Sequence, residues 1–141
     1  MRTNKIFHYA IATNLILGNL LLSRGFGSHE KVMPALLTYF VHSCIAIVFL
    51  FILFNVAKND NNFHKSTYLA FLSSYLIPFI SIDLILIIGC FIENDFSKLL
   101  FMLFSTFIAS ILFVWVFWIP FGFMNAFFVV SFIKSKKGKL T

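Results

Sequence analysis

Charge is nearly absent from the greater part of this 141-residue chain. Four apolar runs, 6–22, 34–57, 67–92 and 99–133, hold one formally charged side chain between them, Asp83. Polar segments long enough to fold on their own are also lacking. That excludes a soluble catalytic module or nucleotide-binding domain. Cysteine is scarce: Cys44 lies near the middle of the second run and Cys90 near the far end of the third. In antiparallel helices their depths differ by roughly 12 Å, and a disulfide needs Cα atoms within about 7 Å. Two free, buried thiols are therefore expected. His8, His29, His42 and His64 sit in different segments and no Cys-x-x-Cys occurs, so no metal site or cofactor is expected. Clustered Ser/His/Asp groups and grouped carboxylates are missing too, which argues against an enzyme.

What is present is apolar length. A run of about 20 apolar residues matches the bilayer core. The chain reads as one all-α domain over residues 1–141, an integral membrane bundle of four transmembrane helices near 6–22, 34–57, 67–92 and 99–133. A basic tail, 134–141, follows. The N-terminus resembles a secretory leader in having Arg2 and Lys5 before an apolar stretch. Asn14 and Asn19 interrupt that stretch, so it reads as a first transmembrane helix. Four crossings put both termini on one side. That side carries eight Lys and Arg residues (Arg2, Lys5, Lys58, Lys65, Lys134, Lys136, Lys137 and Lys139), against Arg24, Lys31 and Lys98 on the other. The bias places both termini in the cytoplasm. Segments 23–33 and 93–98 become the outer connections. The net charge of +6 then reads as an anchor to anionic lipid headgroups at the C-terminal tail, not as a nucleic-acid surface.

Two prolines shape the later runs. Pro78 lies inside the third and is expected to kink it, with Ser73, Ser74 or Ser81 near enough to serve the freed carbonyl. The fourth run would reach about 52 Å as one helix, against a core of about 30 Å. One crossing broken near Pro120, Phe121 and Gly122 is expected, with Trp115 and Trp118 near an interface. The 21 phenylalanines serve either as lipid-facing bulk or as an aromatic surface for another hydrophobic helix.

Helices associate in lipid through small residues and a few hydrogen bonds. Three stripes fit: Ala10, Asn14 and Gly18; Ala35, Thr38, His42 and Ala46; Ala70, Ser74, Pro78 and Ser81. Asp83 stands apart, because an acid within a span is costly and marks a functional candidate. Asp83 and His42 fall at nearly the same depth, in the outer half of the bilayer, and adjacent antiparallel helices would let them meet. Three roles stay open for the pair: a buried polar clamp, recognition of a cation or amide on another membrane protein, and a proton or ion relay.

The C-terminal sequence runs through Ile119, Pro120, Phe121 and Gly122, then an apolar stretch, then Ser131, Phe132, Ile133 and Lys134. It resembles the ends of the immunity proteins that protect producer bacteria from pore-forming colicins. The segment 31–99 is similar in layout to the four-helix branch of that family. A helix ends in the basic, Asn-rich turn Lys58, Asn59, Asp60, Asn61 and Asn62. A third helix follows, then the short acidic loop with Glu93, Asn94 and Asp95. The first outer loop, 23–33, is shorter than in that branch. The resemblance implies a bacterial inner-membrane protein with no catalytic residues. Its partner would be the pore-forming domain of a cognate colicin, bound in the membrane so that the channel does not open. Asp83 and His42, with Glu30, Glu93 and Asp95 of the outer loops, are the partner-binding candidates. Two other classes share the small size and apolar build: a holin-like pore or lysis protein, and a small transporter or subunit of a membrane complex.

Overall fold

A computed structural model of the chain describes residues 2–26, 35–59, 62–113 and 118–137. Among these residues the fold is wholly helical. The helices are α1 (Arg2–Phe26), α2 (Ala35–Asn59), α3 (Phe63–Glu93), α4 (Leu99–Phe113) and α5 (Ile119–Lys137). The first three contain segments long and apolar enough to cross a membrane: Thr3–Ser23, Leu36–Asn59 and Phe63–Glu93. α4, with 15 residues, extends only about 22 Å.

α1 and α3 outrun the apolar stretches that predict them at both ends, because polar residues there still satisfy helical backbone. α3 begins four residues before the expected 67. Asn62 caps it, its side chain accepting from the Lys65 amide at 3.3 Å. At the far end Asn94 takes a left-handed conformation (φ 52°) and its amide donates to the Cys90 carbonyl. Asparagine tolerates that conformation better than most residues. Pro78 does not end α3. The nearby serines go elsewhere than expected: Ser74 Oγ donates to the Ala70 carbonyl and Ser81 Oγ to the Ile77 carbonyl.

Side-chain pairs fix the bundle's direction. Phe7 meets Phe54, and Asn19 meets Ser43, so α1 and α2 are antiparallel. α2 and α3 pair through His42 and Ser81. The expected fourth helix, 99–133, is two helices laid end to end along α3. Thr106 meets Asp83 and Phe107 meets Phe79 on α4; Trp118 meets Tyr75 and Asn125 meets Ser74 on α5. Both pieces run antiparallel to α3. The last turn of α5 therefore lies beside the end of α2, where Lys136 Nζ donates to the Lys58 carbonyl at 2.6 Å. Pro120 sits in the first turn of α5, where its missing amide hydrogen costs nothing. Trp118 packs on Tyr75 at 4.7 Å between ring centroids, near the middle of α3 and not near an end. Trp115 lies outside the described residues.

α5 packs against α1, α2 and α3, closing a four-helix ring, whereas α4 packs on α3. The core of that ring is built from small and branched side chains: Ala10, Ala46, Leu50, Ala57, Ala70 and Val129 are fully buried. Small residues let backbones approach closely where lipid supplies no hydrophobic drive. Cys90 is a buried free thiol as expected, but Cys44 is exposed on the outer face of α2.

Gly122 is the tightest meeting of α5 with α3, since a Cβ there would overlap the Phe71 ring. Gly122→Ala is expected to lower stability by about 1–3 kcal/mol. A Phe71→Leu background should recover part of that loss. Detergent-titrated unfolding of the two single variants and the double variant measures it.

Candidate functional site

The apolar frame leaves few polar side chains inside, and several of them join one helix to another. The deepest set joins α1, α3 and α5. Asn14 Nδ2 donates to Asn125 Oδ1 at 2.7 Å, and Asn125 Nδ2 donates back to Asn14 Oδ1 at 3.1 Å. The second proton of each amide is also used, by the Ala10 carbonyl at 2.8 Å and by Ser74 Oγ at 2.7 Å. Every donor of both amides is satisfied, which a buried polar group needs. Asn125 has no place in the three stripes. Its signal was an amide within an otherwise apolar run.

Seven residues farther along α3, about 10 Å, a second set joins α1, α2 and α3. The Ser81 proton goes to Ile77, so its oxygen accepts from His42 Nδ1 at 3.1 Å. The other ring nitrogen, Nε2, has no hydrogen-bond partner among the described residues. It is turned toward Gly18, where any Cβ would overlap it. His42 is only 4% exposed, so a partner reaches it only if α1 moves away.

Asp83 shares His42's depth, as expected, but not its direction. Positions 81 and 83 project from well-separated faces of a helix. Ser81 therefore turns to α2 while Asp83 turns to α4. There Asp83 Oδ1 accepts from Thr106 Oγ1 at 2.8 Å. The same hydroxyl lies 2.8 Å from the Leu103 carbonyl, so its single proton is shared. Asp83 and Thr106 are both half-buried. Among the described residues His42 and Asp83 thus bond to different partners and not to each other. Thr106, like Asn125, had no sequence signal beyond its polarity within an apolar run.

Of the outer-loop candidates, Glu30 lies outside the described residues. Glu93 is exposed at the last residue of α3. Asp95 is exposed in the turn before α4, where Oδ1 accepts from Ser97 Oγ at 2.6 Å and from the Ser97 amide at 3.0 Å. Those bonds, the hydroxyl first, hold its carboxyl below the usual carboxylate range, helped by Lys98. These groups sit at the end of the bundle opposite Lys58 and Lys136. Among the described residues no three His, Cys, Asp or Glu side chains converge as a metal ion needs.

The three helix-buried sets thus divide by accessibility. Two are sealed and fix how helices pack. The third, Asp83 with Thr106, meets the surroundings. No protein family, curated protein sequence or solved structure matches the chain.

Two outcomes test this division. Asn14→Leu and Asn125→Leu are expected to couple by about 0.5–2 kcal/mol in a double-mutant cycle of unfolding. Additive effects would contradict the amide pair. The Asp95 turn carries a pH dependence of defined sign. Because folding depresses this pKa, its contribution is complete above the unfolded value and fades as pH falls through the lower folded one. Protection of the Ser97 amide, its hydrogen exchange relative to the intrinsic rate at each pH, should persist at neutral and mildly acidic pH and fall only below the usual carboxylate range. In Asp95→Ala that protection should be low throughout.

Proposed function

We propose that this chain is a bacteriocin immunity protein of the bacterial inner membrane. It binds the membrane-inserted pore-forming domain of a colicin and keeps the channel from opening. Three apolar helices supply the membrane frame, and α4 together with α5 makes a fourth crossing. Both termini are cytoplasmic, since the basic residues gather at the end shared by Lys5, Lys58 and the α5 tail. Lys134, Lys136 and Lys137 in the last turn of α5 meet anionic headgroups.

The observation that carries the reading is the open side of α4. This helix packs on α3 and leaves Leu100, Phe101, Phe104, Phe107 and Ile111 exposed. A toxin's hydrophobic helix arriving from outside finds there a surface of the right polarity. Asp83 sits beside it, with Glu93 and Asp95 at its rim. Glu30 belongs to the same outer side by its position in the chain. His42 supports that surface from within by holding α2 to α3.

Expression in a sensitive enteric strain, followed by challenge with a panel of pore-forming colicins, tests this. Healthy growth, resistance to one toxin and continued sensitivity to toxins using the same receptor are expected. Lysis before any toxin is added would replace the reading with a holin-like pore. Healthy growth without resistance would leave a transporter or a subunit of a membrane complex.

A further inference from the structure

We propose that Asp83, with Thr106, is the docking point for one lysine or arginine carried on an apolar transmembrane helix of a partner protein. The inference rests on reading the chain as a membrane-embedded binding protein, and it names the chemistry of the partner.

The argument starts from charge. A carboxylate at this depth is costly unless it is paired. Thr106 gives it a neutral, shared hydrogen bond, which leaves the charge unbalanced. All eleven Lys and Arg residues of the chain lie outside the four apolar runs. Lys98, at the start of α4, is eight residues before Thr106, about 12 Å along the helix axis. Among the described residues the chain brings no cation of its own to Asp83.

Access comes next. Asp83 and Thr106 are half-buried, while His42 and the amide pair are sealed. The neighbours of the site are apolar and exposed: Leu84 beside Asp83, and Phe107 beside Thr106. On α4 the exposed residues Leu100, Phe104, Phe107 and Ile111 recur at helical spacing. They form a stripe about 16 Å long against which another helix can lie. An incoming segment must be helical, because lipid offers no partners for a bare backbone. A carboxylate only accepts hydrogen bonds, so the matching group is a donor with positive charge. Lysine and arginine supply it, and a second acid is repelled.

The test uses the full chain in phosphatidylcholine vesicles, labelled with a fluorescent acceptor at an introduced tail cysteine. Donor-labelled polyleucine transmembrane peptides carry one Lys, Arg, Glu or no polar residue, placed one turn from the midpoint. The Lys and Arg peptides are expected to associate about tenfold more tightly than the all-Leu peptide. Asp83→Asn should abolish the preference and Thr106→Val should weaken it. Asp83→Lys should transfer the preference to the Glu peptide. Unchanged helical content by circular dichroism qualifies each variant. Equal binding of the Lys and Leu peptides, or a preference that survives Asp83→Asn, overturns the proposal. Peptide selectivity in a chain that confers no colicin resistance upholds it and removes the immunity reading. Resistance without selectivity does the reverse.

Discussion

The reciprocal amide bond between Asn14 and Asn125 is the contact on which the rest of the bundle depends. It joins the first helix to the last and reaches α3 through Ser74. Apolar faces in lipid slide and rotate at little cost, because one leucine surface is as good as another. A buried amide has one favourable register. Once Asn125 is seated, Gly122 falls against Phe71 and Phe132 against Phe54. The α5 tail then reaches the end of α2. The small core residues follow from the same constraint, since backbones must approach closely for these short side chains to meet.

The second polar set repeats this logic nearer the other end. His42 bonds to Ser81 across α2 and α3, and Gly18 makes room for the ring. α1 is thereby fixed by the Asn14 amide and by Gly18, besides its Asn19 bond to Ser43. Among its described residues α4 shows no comparable tie. Its polar contact is Thr106 with Asp83, at the edge of the bundle and not in its core. The chain thus combines a ring of α1, α2, α3 and α5 that is locked by buried polar groups with one short helix whose open side is apolar. On the proposed reading, the locked part would hold the α4 surface in place, and the half-buried Asp83 would add specificity to a surface that is otherwise apolar.

Most of the helical frame was legible in the sequence. Length, hydropathy and the lack of internal charge give the apolar runs, and helical spacing gives the faces. Ala10, Asn14 and Gly18 are all buried, as are Thr38, His42 and Ala46. The candidate site was legible only in part. Asp83 and His42 match in depth because depth follows from counting residues. Their directions diverge because direction depends on how each helix is rotated, and two residues of offset reverse a helix face. The place of Trp118 beside Tyr75, near the middle of α3, likewise depends on how the helices pack and not on composition.

The sequence by itself determined the class of structure: apolar helices, a basic end, an acidic turn and one acid inside a span. These depend on composition and one-dimensional spacing, which bilayer thickness and headgroup charge read directly. The tertiary structure alone decided the partners: Asn14 with Asn125, His42 with Ser81, Asp83 with Thr106. It also decided that the fourth run is two helices in line, one inside the ring and one at its side. Partners require the rotation and register of several helices at once, and those are set by close packing and directional hydrogen bonds between residues as many as 111 positions apart.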